Sequence, residues 1–156
     1  MKNRILFVCL GNICRSPAAE GVLRAMAQTR RLNDELEIDS AGTYGGHAGQ
    51  LPDPRMRAAA LRRGYHLTHR ARQVTRADFG RFDRIVAMDR SNYQSLCRLA
   101  PSTEAAGRIV RMSDFFRRYA GQTEVPDPYY EGDEGFEQVL DMLEDACSVL
   151  LDSLKR

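Results

Sequence analysis

The run Val8-Cys9-Leu10-Gly11-Asn12-Ile13-Cys14-Arg15-Ser16-Pro17 constrains this chain more than any other stretch. The apolar run Ile5-Leu6-Phe7-Val8 leads into it and reads as a buried strand. From Ala18 to Ala27 the apolar residues recur at helical spacing. Ser16 is a natural N-cap, and Pro17 suits the first helical position, where a missing N–H costs nothing. The expected layout is strand, tight loop, helix N-terminus, with a nucleophile and a cation at the two ends of the loop.

That layout suits an anion. The residues between Cys9 and Arg15, namely Leu10, Gly11, Asn12, Ile13 and Cys14, let the backbone curl so that successive N–H groups point inward. The helix dipole adds partial positive charge, and Arg15 adds a guanidinium fork matched to phosphate oxygens. All three stabilise a thiolate at Cys9. Gly11 and Asn12 tolerate the left-handed backbone of such a cup. Buried cysteines are common, but a nucleophile, loop-forming residues, a cation and a capped helix together specify a site that binds phosphate and attacks it.

Further along, Leu36-Glu37-Ile38-Asp39 alternates and runs into Ser40-Ala41-Gly42, which predicts a second strand. Thr43 to Gln50 is rich in glycine with Tyr44 as its one aromatic, so it reads as a mobile loop. Pro52 and Pro54 open a helix through Met56, Ala59, Ala60 and Leu61 that ends near Gly64. Asp78 to Phe82 predicts a short helical turn, and Ile85-Val86-Ala87-Met88 a central parallel strand. Asp89 caps the next helix, which turns Tyr93, Leu96 and Cys97 inward and stops before Pro101. Arg108-Ile109-Val110-Arg111 is a fourth strand. The C-terminal helix carries Phe136, Val139, Leu140, Leu143, Ala146, Cys147, Leu150, Leu151 and Leu154 on one stripe, with Glu137, Asp141, Glu144 and Asp145 largely outside it. The pattern predicts an α/β fold of three layers: a four-stranded parallel sheet, helices on both faces, and the phosphate-binding loop at the N-terminal end. Ligands in such folds bind beyond the carboxyl ends of the strands, where Cys9 and Asp89 both fall.

A length of 156 residues bounds the chain to one domain, residues 1–156. No signal peptide or membrane span is expected, because no stretch approaches ~20 apolar residues. The expectation is a monomeric cytoplasmic protein without a membrane partner. Cys9, Cys14, Cys97 and Cys147 form no disulfide framework, and no Cys or His set completes a metal site, so neither metal nor cofactor is expected. A net charge of +2 is too small to argue for nucleic acid. Arg62-Arg63 and Arg117-Arg118 read as solvated faces able to steer anionic substrates.

The segment Cys9-Leu10-Gly11-Asn12-Ile13-Cys14-Arg15-Ser16 resembles the signature loop of the low-molecular-weight protein tyrosine phosphatases, and Asp127-Pro128-Tyr129-Tyr130 resembles that family's general-acid loop. The resemblance runs from Arg4 to the C-terminal helix. It implies that Cys9 is the nucleophile, that Arg15 binds phosphate, and that Asp127, held between Pro126 and Pro128, is the general acid. It makes Tyr129 and Tyr130 lining residues of the slot and candidate phosphorylation sites. It implies a hydrogen-bond network of Asn12, Ser16, Ser40 and His69 behind the loop, with Asp89 helping to hold the site. The implied partners are phosphotyrosine proteins or peptides, a tyrosine kinase among them. His47 and His66 read as surface residues. The family usually places an aromatic just before His47 as a wall for the substrate ring; here that position is Gly46, and Tyr44 is the only aromatic nearby, so either Tyr44 takes that role or the slot is more open.

Three other functions fit parts of this pattern. Thioredoxin-coupled arsenate reductases share the fold and loop, but need two further cysteines near the helix after the third strand, where only Cys97 lies. Protein-arginine phosphatases carry Thr where this chain has Ile13, and a bulky apolar Ile13 suits a flat phenyl ring better than a guanidinium. A phosphotyrosine-binding module without activity would lack Cys9, Arg15 or Asp127, and all are present.

Overall fold

The structure, a computed structural model, describes residues 2–129 and 131–154. Four parallel strands form one sheet in the order β2-β1-β3-β4. They are β1 (Asn3–Cys9), β2 (Leu36–Gly42), β3 (Arg84–Ala87) and β4 (Ile109–Arg111). Between and after them run α1 (Arg15–Thr29), α2 (Pro54–Leu61), α3 (Asp78–Arg81), α4 (Arg90–Leu99), α5 (Thr103–Ala106) and α6 (Asp133–Ser153).

The layering follows from the alternation of side chains along a strand. Ile5, Phe7 and Cys9 of β1 point to one face and pack with α1, α2 and α6; Leu6 and Val8 point to the other and pack with Phe79, Leu96 and Ala105 of α3, α4 and α5. Both faces of β1 are therefore covered, which is why its sequence reads as continuous rather than alternating. The whole predicted stripe of α6 is buried, and Met142 joins it. Truncating one of its leucines to alanine costs ~2–5 kcal/mol.

Some expectations need correction. Helix α1 begins at Arg15, its N-cap is Cys14, and no side chain caps it. Ser16 lies inside the first turn because its hydroxyl is engaged with Cys9 and Asn12 instead. Cys97 is exposed, so α4 turns inward on Leu96 with Tyr93 only half-buried. Asp145 is buried: its carboxylate accepts backbone N–H groups from Arg117, Arg118 and Tyr119 and ties that loop to α6. Arg63 is no free solvated charge, since Glu137, Asp141 and Glu144 of α6 all pair with it within 3.0 Å. The short α5, capped by Ser102, had no signal strong enough to predict it.

Candidate active site

The loop after β1 closes a cup. Asn12 takes the left-handed conformation with φ of 57°, a position where most side chains clash with their own backbone. Its side chain holds it there. Nδ2 donates to Ser16 Oγ at 2.7 Å and to Ser40 Oγ at 3.0 Å, while Oδ1 accepts from the Arg72 N–H and from His69 Nε2, each at 3.0 Å. Ser40 passes its own proton to Glu20 Oε1 at 2.7 Å. His69 Nδ1 lies 3.4 Å from both Glu20 and Asp39. Asn12, Ser16, Ser40 and Glu20 are all buried, so the network is dry and fully paired, the condition in which it rigidifies a loop.

Close backbone approach completes the cup. Thr43 and Tyr44 donate N–H bonds to Cys9 and Leu10, each at 2.9 Å. A Cβ at Gly42 would sit 2.7 Å from the Leu10 carbonyl oxygen, so only glycine lets β2 end against the loop.

Cys9 lies at the floor, 2% exposed, with its sulfur 3.0 Å from Ser16 Oγ. Because Asn12 donates to that hydroxyl, the serine proton is left to a thiolate at Cys9 or to the Ala41 carbonyl, 3.4 Å away. Arg15 is buried too, and Nη1 donates to Asp89 Oδ2 at 2.7 Å and to the Val125 carbonyl at 3.0 Å. Burial alone would lower the Arg15 pKa, but charge on Cys9 and then the Asp89 carboxylate outweigh it and hold the guanidinium above its usual range. Asp89 also keeps its predicted cap role, accepting from the Asn92 N–H.

Asp127 stands across the opening, Oδ2 3.7 Å from Arg15 Nη2 and Oδ1 accepting the Tyr129 N–H at 3.1 Å. The resulting pocket of about 270 Å³ has Cys9, Leu10, Gly11, Ile13, Cys14 and Arg15 below and Tyr44, His47, Asp127 and Tyr129 around its mouth. The Tyr44 ring lines the pocket over the position of Gly46 and stands edge-on to His47 at 5.9 Å. Tyr130 lies outside the described residues.

The sequence reading missed several members. His47 is half-buried in the pocket rather than on the surface, packed over Gly11, and its Nδ1 lies 3.1 Å from Gln50. Arg72 gives its backbone N–H to Asn12 and its guanidinium to Asp39 at 3.1 Å, neither of which a sequence pattern announces. Asp53 was legible, as an aspartate just before Pro54: it caps α2 through the Arg55 N–H, and its own N–H donates to the Ile13 carbonyl at 2.7 Å. Cys14 is a buried thiol whose pKa is raised by desolvation and then by the charge of Asp53. Glu20, Asp39 and His69 bring ligand atoms within 4.8 Å of one another, but those atoms already serve the network behind Asn12. Cys9, Cys14, Cys97 and Cys147 are all free.

A buried cysteine beneath an anion cup, an arginine at its far end and a carboxylate across the mouth are the parts needed to break a phosphoester. The family described as low molecular weight phosphotyrosine protein phosphatase matches residues 4–156. The low molecular weight protein-tyrosine-phosphatase of Streptomyces coelicolor is 44% identical over 156 residues, covering 99% of this chain and 95% of that protein. The human low molecular weight phosphotyrosine protein phosphatase is 36% identical over 148 residues, covering 95% and 93%. A crystal structure of a protein tyrosine phosphatase from Entamoeba histolytica, with Hepes in its active site, superposes with a TM-score of 0.95 at 46% identity over 98% of this chain and 97% of that one. This chain belongs to the low molecular weight phosphotyrosine protein phosphatase family.

Proposed function

We propose that the chain, as one phosphatase domain, hydrolyses phosphotyrosine in proteins or peptides through a covalent phosphocysteine, with Cys9, Arg15 and Asp127 in the reacting roles. Cys9 Sγ attacks phosphorus as the thiolate, the P–O bond to the phenol breaks, and Asp127 gives its proton to the leaving oxygen. Asp127, now a carboxylate, takes a proton from water as that water attacks phosphorus, which releases phosphate and the Cys9 thiolate. Arg15 and the loop N–H groups hold the equatorial oxygens throughout, and the paired network behind Asn12 keeps those donors aimed. The observation that carries this reading is the Arg15 guanidinium, fixed by Asp89 at 2.7 Å and lying 3.7 Å from Asp127. It supports this reading by bringing the proposed phosphate ligand and the proposed acid to the same pocket. Ile13 in the pocket favours a flat aryl ring over a guanidinium as the leaving group.

The test is steady-state turnover of a phosphotyrosine peptide and of phenyl phosphate in the presence of a chelator. Cys9→Ser should abolish it, since a hydroxyl is not ionised in the cup. Asp127→Asn should lower kcat/KM most for phenols of high pKa. Full activity of Cys9→Ser, or an equal loss of kcat/KM across all phenols for Asp127→Asn, overturns the assignment.

We also propose that Cys14 protects Cys9 under oxidation. Hydrogen peroxide converts the Cys9 thiolate to a sulfenic acid with loss of hydroxide; attack by the Cys14 sulfur then forms a disulfide, the Cys14 proton leaving with the sulfenic oxygen as water. The support is that both cysteines line the same pocket.

A further inference from the structure

Arg55 is used by none of the chemistry above, yet it lies between the phosphate loop and the acid loop. Its guanidinium forks onto Asp53, with Nε to Oδ1 at 3.1 Å and Nη2 to Oδ2 at 2.9 Å. Asp53 in turn donates its N–H to the Ile13 carbonyl in the phosphate loop at 2.7 Å. The other side of Arg55 meets two aromatic rings, with Cζ 5.3 Å from the Tyr129 centroid and 4.8 Å from that of Phe136 in α6. Tyr129 then donates its N–H to Asp127 Oδ1.

We propose that Arg55 is a positioning residue for the general acid: it clamps Tyr129 against α6 and references it to the phosphate loop through Asp53, so that Asp127 is held at a fixed place over Cys9. The inference rests on the phosphatase reading for its kinetic consequence. The clamp suits an arginine because one planar group must satisfy a carboxylate edge-on and an aromatic ring face-on at once. Lysine, a point charge on a flexible stem, does one or the other. The acid loop needs such a clamp. Asp127 itself is exposed, and Pro126 and Pro128 stiffen its backbone without fixing its distance from Cys9.

The clamp has two separable readouts. In Arg55→Ala the Tyr129 amide should exchange hydrogen at least ~10-fold faster than in the wild type, because the ring no longer holds the loop closed. The kcat/KM for phenyl phosphate, which reports the step that expels the phenol and not the later attack of water, should fall ~10-fold, part of the ~10²–10⁴ a positioned acid supplies, while that for p-nitrophenyl phosphate, whose phenolate leaves with the least need of a proton, falls by less than about twofold. Arg55→Lys should resemble Arg55→Ala in the slope of rate against leaving-group pKa. Tyr129→Leu should raise that slope in the same way with Arg55 intact, which guards against misfolding of α2 as the cause.

Unchanged exchange at Tyr129 in Arg55→Ala overturns the clamp, as does an equal loss of kcat/KM for every leaving group. Full rescue by lysine overturns the need for the planar fork. If the wild type hydrolyses no aryl phosphate the proposed function has failed instead, and the exchange measurement still decides whether Arg55 holds the loop.

Discussion

The Tyr44 ring occupies the space that a side chain on residue 46 would fill: a Cβ at Gly46 would collide with Tyr44 Cζ, Oη and Cε2. The ring is half exposed, braced edge-on by His47, and lines the same pocket as Tyr129. The absence of a side chain at Gly46 is what makes room for it.

That relationship predicts matched kinetic effects. Tyr44→Ala should raise KM for aryl phosphates about 2- to 10-fold, the worth of one ring contact, with little change in kcat. Gly46→Val should do the same by evicting Tyr44. Alkyl phosphates, which have no ring to stack, should be indifferent to both. An unchanged KM in Gly46→Val would remove Tyr44 from the wall.

Asn12 combines a strained backbone with four side-chain hydrogen bonds. Asn12→Ala loses the bonds and still needs positive φ, so kcat/KM should fall ~10²-fold or more, as expected for loop donors displaced by an ångström. Asn12→Gly keeps the conformation at no steric cost and should lie between the two. Kinetics with phenyl phosphate and a urea midpoint for each variant check the order. Equal loss in both variants would mean that the network matters and the strain does not.

Asp53 gives a pH signature. Its bond to Arg55 is the leading cause holding its pKa below the usual carboxylate value, with burial opposing. A group depressed in the folded state contributes stability above its unfolded pKa of ~3.9 and loses it as pH falls through the folded value. Asp53→Asn keeps a capping oxygen but not the charge. The urea midpoint of the wild type should exceed that of Asp53→Asn by a constant margin from pH 7 down to about 5, and the margin should shrink as pH falls below the unfolded value and through the folded one. A margin that persists undiminished at pH 2 would rule out the ionised Asp53–Arg55 pair as its source.

Cys14 is held as a thiol by burial and by the Asp53 charge. After a brief peroxide pulse, dithiothreitol should restore wild-type activity but not that of Cys14→Ser, whose Cys9 proceeds to the sulfinic acid. Equal recovery of both would make Cys14 a packing residue.

The local chemistry was legible in the chain. Cys9, Arg15 and the turn-forming Gly11 and Asn12 sit within one short loop, and local spacing dictates what a backbone can wrap. The same holds for the α6 stripe and the apolar run of β3, whose periodicities are set by one element's geometry. Asp53 had its signal too, an N-cap aspartate before a proline. What the tertiary structure decided lies between elements. Ser16 looks like a cap in isolation, but Asn12 and Cys9 reach it once β2 brings Ser40 alongside, and a buried network outweighs an exposed cap. Asp145 reads as a solvated helix charge until three backbone N–H groups of a distant loop arrive at it. Tyr44 and Arg55 carry no periodicity at all. Their places were set by what their neighbours left open, the missing side chain at Gly46 and the gap between Asp53 and Tyr129, and such vacancies exist only after the chain has folded.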